Sequence, residues 1–104
     1  MTLEVLTHND QNISANGTCL QGYLDGPGNK IVEKFGEPLL GYPDDKVEFE
    51  WILLVDDEPV TIYAWKNYGE KSFGEISRWH VGGKSKRVVE YLEDLGFNTS
   101  SSDW

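Results

Sequence analysis

Alternation dominates the middle of the chain. Val47, Phe49 and Trp51 alternate with Glu48 and Glu50, the period-two signature of a half-buried strand. The run Trp51-Ile52-Leu53-Leu54-Val55 predicts that this strand continues with both faces covered. Asp56-Asp57-Glu58-Pro59 reads as a turn. Val60, Ile62 and Ala64 then alternate with Thr61, Tyr63 and Trp65, the return strand of a hairpin, which places Trp51 and Trp65 as cross-strand neighbours. A polar, glycine-containing loop from Lys66 to Gly74 leads to a third strand from Glu75 to Val81, which Gly82-Gly83 ends.

Helical spacing flanks this meander. Ile31, Val32 and Phe35 follow Asn29, a good N-cap, and precede Gly36 and Pro38, which stop a helix of about two turns. Ser85 is placed to cap a second helix with the apolar stripe Val88, Val89, Leu92 and Leu95; Gly96 and Phe97 have the spacing of a Schellman ending. Residues 7–19 are polar and aperiodic, as expected of a mobile loop after a short first strand, and residues 99–104 read as a frayed tail. The predicted order is (β)-α-β-β-β-α. This is a single α+β domain: an antiparallel sheet of three to four strands, a β-meander, with two helices on one face. The expected division is an N-terminal strand and loop over 1–19, a core over 20–97 and a polar tail over 98–104.

Composition adds three constraints. A chain of 104 residues with 38% hydrophobic and 12% aromatic residues is a folded domain and too short for two. The lone Cys19 cannot form an internal disulfide, and no Cys/His cluster has zinc spacing. With no signal-like or membrane-spanning apolar run at hand, a reducing cytoplasm is expected, and the Asn-x-Ser/Thr triplets at Asn12, Asn16 and Asn98 read as plain loop sequence. The net charge of −9 is uneven: residues 1–58 hold twelve acids against Lys30, Lys34 and Lys46, while residues 59–104 are balanced. Broad nucleic-acid binding is thereby disfavoured.

The stretch Arg78-Trp79-His80-Val81-Gly82-Gly83-Lys84-Ser85-Lys86-Arg87 stands out, with its bases gathered where a helix begins. Cations there oppose the helix dipole, which an anion would resolve. An anion site would use the backbone of Gly82, Gly83 and Ser85 with Lys84 and Arg87; Trp79, Tyr68 or Trp65 would stack on a base, and His80 would donate a hydrogen bond. The competing reading is a solvated basic surface. Gly-Lys-Ser is not a P-loop, since the earlier glycine would fall at Arg78. The rival surface is acidic. Glu48 and Glu50 share a strand face, with Asp44, Asp45, Asp56, Asp57 and Glu58 close in sequence, a row that could mimic DNA phosphates or simply be solvated. The aspartate pairs read as turn residues rather than metal ligands, and no cofactor is expected. His80 is the candidate general base if the protein is an enzyme.

Leu20-Gln21-Gly22-Tyr23, Phe35-Gly36-Glu37-Pro38, Glu50-Trp51, Thr61-Ile62-Tyr63-Ala64-Trp65-Lys66 and Trp79-His80-Val81-Gly82-Gly83, in that order, resemble a family of small proteins of tailed phages and large DNA viruses. The resemblance spans about Leu20 to Leu95. It implies a viral accessory protein acting in the cytoplasm of an infected host, and it implies no particular activity. A counter-defence role then takes two forms: a sponge that sequesters a nucleotide-like signal molecule, or an acidic inhibitor of a host defence nuclease. A small nucleotide-degrading enzyme is the third. The expected partner is a nucleotide-like small molecule or a host defence protein, with neither membrane nor direct nucleic acid; a homodimer would suit a sponge.

Overall fold

The computed structural model describes residues 4–42 and 44–101. In chain order, β1 (Val5–Thr7) and β2 (Cys19–Asp25) lead into helix α1 (Gly28–Phe35). Strands β3 (Leu39–Leu40), β4 (Val47–Val55), β5 (Glu58–Trp65) and β6 (Arg78–Gly83) follow, then helix α2 (Arg87–Asp94) and β7 (Asn98–Ser101); a 3-10 turn at Phe73–Glu75 precedes β6. The fold is α+β with two α-helices and one antiparallel sheet. The sheet has seven strands in the order β1-β4-β5-β6-β2-β7, with β3 also paired to β4.

The expectation of three to four strands is thus corrected. The meander β4-β5-β6 is present, and β2, β3 and β7 are added to it. Two of these carry no alternation: β3 is Leu-Leu, with both residues exposed, and β7 is Asn-Thr-Ser-Ser. They are strands because a neighbour offers an open row of N–H and C=O groups, not because their own side chains favour a pleated surface. The stretch read as a frayed tail therefore pairs with β2 over Asn98–Ser101; the rest of that tail, residues 102–104, lies outside the described residues, as do residues 1–3 of the predicted first strand. Gly82 and Gly83 do not end β6 but belong to it, facing Thr61 and Val60.

Register sorts the side chains. Trp51 faces Ile62, Leu53 faces Val60, and Ile62 faces Val81, so one side of the sheet carries a continuous apolar surface. Ile31 and Phe35 of α1 and Val88, Val89 and Leu92 of α2 join that surface in a single buried cluster. Trp51 and Trp79 lie at its centre, fully buried, with ring centroids 5.2 Å apart and planes at 74°. Each indole N–H has a carbonyl acceptor, Gly36 O at 2.8 Å for Trp51 and Gly26 O at 3.0 Å for Trp79, so neither leaves a polar atom stranded. Trp65 is not the neighbour of Trp51: it faces Val47, across a bulge between Val47 and Glu50, and it points to the other side of the sheet.

Helix ends match the sequence at the C-termini and depart from it at the N-termini. Gly36 has φ 87° and donates to Val32 O at 2.8 Å. Gly96 has φ 102°; Gly96 N donates to Glu93 O at 3.0 Å and Phe97 N to Leu92 O at 3.1 Å, the paired bonds of a Schellman ending. Helix α1 starts one residue before Asn29, after Pro27, and its first residue, Gly28, lies against the Phe73 ring, where a Cβ would sit 2.6 Å from Cζ. Lys86, not Ser85, holds the N-cap position of α2.

The hairpin turn between β4 and β5 is two residues long, Asp56 (φ 48°) and Asp57 (φ 68°), the left-handed pair of a type I′ turn. Asp56 is anchored: its N–H donates to Glu4 O, and its Oδ1 accepts from Glu4 N, both at 2.9 Å. Asp57 has no such bond and stands between two further acids. Asp57→Gly is therefore expected to stabilise the fold by about 0.5–1 kcal/mol, seen as a higher urea midpoint at unchanged slope. An unchanged or lower midpoint would mean that Asp57 carries no backbone strain.

Candidate functional site

The side of the sheet away from the helices is where polar and aromatic side chains collect. One cross-strand row runs Leu39, Glu50, Tyr63, His80, Tyr23 and Ser100, each residue the register partner of the next. Side chains alternate across the pleat, so residues two positions along each strand extend this face: Trp65 and Thr61 on β5, Arg78 and Gly82 on β6. The rings touch. Tyr63 and His80 stack with centroids 5.5 Å apart, Tyr23 meets the His80 edge at 5.2 Å, and Trp65 lies 6.1 Å from Tyr63 and 6.3 Å from His80. The Arg78 guanidinium sits 4.5 Å from the Tyr23 ring, and the Lys66 ammonium 5.8 Å from the Trp65 ring.

Two concavities meet at Trp65. The first, of about 230 Å³, opens where β5 runs into the following loop, and is lined by Trp65, Lys66, Asn67, Lys71, Arg78 and His80, with Glu70 at its side. The second, of about 180 Å³, lies over Gly82 between the sheet and the loop after β1; Ala15 and Thr18 roof it, and Cys19, Glu50, Thr61 and Tyr63 line it. Gly82 lets the Thr61 hydroxyl and the Tyr63 ring close down on β6. A Cβ there would collide with Thr61 Oγ1 and reach the Tyr63 ring at 3.5 Å. Together the two form a groove, cationic at one end and hydrogen-bonding at the other.

The walls are held by side chains the sequence offered for other reasons. Glu48 is buried, and its Oε1 accepts from Asn67 Nδ2 at 3.0 Å and Gly69 N at 3.1 Å, which fixes the loop carrying Lys66, Tyr68 and Lys71. Lys66 and Tyr68 take φ 55° and 50°, a left-handed backbone that non-glycine residues adopt only where the surroundings impose it. Away from the groove, His8 Nε2 pairs with Glu37 O at 2.9 Å, and Asn9 Nδ2 donates to Phe35 O and Glu37 O, which ties the loop after β1 to the end of α1.

Electrostatics separate the two ends. Burial, aided by the neighbouring Arg78 charge, holds the His80 imidazole below its ordinary pKa, so the ring is neutral at pH 7. His80 Nδ1 is buried without a hydrogen-bond partner among the described residues, which favours the tautomer with the proton on Nε2, since a bare acceptor costs less than a stranded N–H. Burial pushes the Glu50 carboxyl up, partly offset by His8, and raises the Tyr63 phenol, to which Glu50, Cys19 and Tyr23 add in that order.

The residues singled out by sequence scatter. Trp79 is fully buried on the helix side and offers no surface to a ligand. Gly83 packs against Val88 on that same side, where a Cβ would sit 2.6 Å from its methyl carbons, whereas Gly82 faces the groove. The N-terminus of α2 has already spent its donors: Arg87 N bonds Ser85 Oγ at 3.3 Å, Val88 N bonds Ser85 O, and Val89 N bonds Lys86 O. Lys84 and Arg87 are exposed beside it. Trp65 and His80 do come together, and Tyr68 is exposed in the adjoining loop.

The acidic residues do not form one row. Asp44 and Asp45 precede β4, and Asp56 and Asp57 follow it, so nine strand residues, about 30 Å, separate the pairs. Between them Glu48 is buried in its loop contacts and Glu50 faces the groove, while Glu58, just after the second pair, is half-buried. Among the described residues no group of three His, Cys, Asp or Glu side chains converges to hold a metal.

Sequence reasoning missed Tyr23, Tyr63, Arg78, Lys66 and Lys71 as site residues. One signal was present: Tyr63 and Trp65 occupy the outward phase of β5, where alternation calls for small or charged residues. No helix of the described residues is long and apolar enough to cross a membrane. No family model, curated protein or solved structure matches the chain.

Proposed function

We propose that the protein binds a nucleotide-like anion in the groove of the open sheet face. The observation that carries this is the convergence of Lys66, Lys71 and Arg78 on a half-exposed tryptophan in a chain of net charge −9. With twice as many acids as bases, cations left to solvated pairing would each face a carboxylate. Arg78 does, at 3.5 Å from Asp25, and Lys71 lies near the Glu75 carboxylate with Glu70 beside the same concavity, but exposed pairs of this kind are worth little and yield readily to a phosphate. Trp65, Tyr63 and His80 supply stacking surface, and the Nε2–H of neutral His80 is a donor suited to a phosphate or carbonyl oxygen. In the infected cell that the motif resemblance implies, such a protein would act as a sponge for a nucleotide signal.

The acidic inhibitor is the weaker reading, because Glu48 is committed to its loop and the aspartate pairs sit at opposite ends of the hairpin. A hydrolytic role for His80 is weaker again: Nδ1 has no orienting carboxylate, which a general base of the triad type requires.

Titration calorimetry with nucleoside mono- and diphosphates tests the site. Lys71→Ala/Arg78→Ala is expected to weaken binding at least tenfold, on the order of the loss of one or two charge-assisted hydrogen bonds. Lys84→Ala/Arg87→Ala is expected to leave it unchanged. The reverse pattern would move the ligand to the start of α2; no binding by any nucleotide would end the proposal.

A further inference from the structure

Glu50 is the one feature of the groove that a phosphate site does not explain. It lies at the non-cationic end, in the wall shared with Thr61, Tyr63 and Gly82. Its position in the cross-strand row puts it opposite Tyr63 and two strand spacings, about 10 Å, from His80. It is half-buried, and no hydrogen bond from any described residue reaches its carboxylate, whereas its neighbour Glu48 accepts two. An ionised carboxylate in that position is costly to the fold. Burial raises its pKa, an effect that nearby His8 partly offsets. A half-buried charge kept without a partner, facing a cavity of about 180 Å³, is placed for a donor that arrives from outside.

We propose, on the reading that the groove holds a nucleotide, that Glu50 selects the base, and that the preferred base offers two adjacent N–H donors, as the N1–H and N2–H₂ edge of guanine does. A carboxylate has two acceptor oxygens in one plane and no donor, so it matches two parallel N–H groups and leaves nothing unpaired. Adenine presents one donor beside an acceptor, which would face a carboxylate oxygen lone pair to lone pair. Cytosine places an acceptor beside its amine, and the single N–H of uracil lies between two carbonyls. Gly82 lies buried under the Thr61 hydroxyl and the edge of the Tyr63 ring, and these two side chains line the space the ring would enter. The stacked Tyr63–His80 pair then spans the distance between base edge and phosphate, and Lys71 and Arg78 hold the far end.

The experiment is calorimetry of the full chain with GMP, IMP, AMP and UMP, and with inorganic pyrophosphate, at pH 7 on wild type and Glu50→Gln. Wild type is expected to bind GMP on the order of tenfold or more tighter than AMP or UMP, with IMP, which lacks the N2 amine, between them. Glu50→Gln is expected to abolish that preference, with AMP binding tighter because the amide matches its donor and acceptor, while pyrophosphate binds as before. It is also expected to melt higher than wild type without ligand, since the amide removes a half-buried charge and keeps the shape. Equal affinity for all four bases, or a preference for AMP, overturns the selection by Glu50 and leaves the groove as an anion site. A preference for GMP that survives Glu50→Gln overturns it too. Failure of every ligand, pyrophosphate included, removes the nucleotide site itself.

Discussion

Trp79→Ala is expected to cost about 3–5 kcal/mol of folding stability, the range for truncating a fully buried aromatic residue. Four causes act together. The indole fills the space between the sheet and α1, stacked edge-on against Trp51 at 5.2 Å and against Phe73 at 5.8 Å. Its removal leaves a cavity that the β4-β5-β6 centre cannot collapse into, because strands on both sides hold β6 in register. The Gly26 carbonyl loses its donor. The turn from β2 into α1, which that bond anchors, loosens with it. Domains of this size have only about 5–15 kcal/mol in all, so the variant should be partly unfolded near 40 °C. Urea unfolding followed by far-UV circular dichroism measures the loss. A change below about 1 kcal/mol would mean that the indole is not the centre of the core. The contrast with Trp65→Ala is informative, since Trp65 is 43% exposed and its loss should reach binding before stability.

Gly22→Ala is expected to cost about 1–3 kcal/mol, although the change is a single methyl group. Gly22 sits at the bulge of β2, paired on one side with Val81 and on the other with Ser101. A Cβ there would collide with Ser100 O, and would come within 2.9 Å of Val89 Cγ2 and 3.2 Å of Ser101 Cα. Two of these three are backbone atoms, which cannot rotate away. Strand β7 must therefore lift from β2, and the α2 contacts that rest on both must shift. Because β7 has no hydrophobic residue of its own, pairing with β2 is most of what fixes it. Amide exchange should accordingly speed up at residues 98–101 before it does in β4 or β5. Equal protection in the variant and wild type would contradict this account.

These two residues also mark how far the sequence could be read. The meander, both helices and the two glycine C-termini were legible, because each depends on local pattern: alternation in β4 and β5, the stripes Ile31/Phe35 and Val88/Leu92, and glycines where φ turns positive. The three added strands were not, because an edge strand such as Asn98–Ser101 is specified by the hydrogen-bonding edge it meets, and that edge is made by residues some 75 positions away.

For the groove, the sequence by itself determined which side chains were available: an acidic first half, cations confined to a few positions, tyrosine and tryptophan on the outward phase of β5, and His80 next to Trp79. Adjacent residues of a strand point to opposite faces, so the chain that brings Trp79 and His80 together in sequence separates them by the thickness of the sheet. Only the tertiary structure decided that His80 would stack on Tyr63, that Glu48 would be spent on a loop while its near neighbour Glu50 faced a cavity, and that Lys66, Lys71 and Arg78 would share a wall. The bulge at Val47–Glu50 and the cross-strand register set those outcomes, and both are properties of paired strands rather than of any one of them.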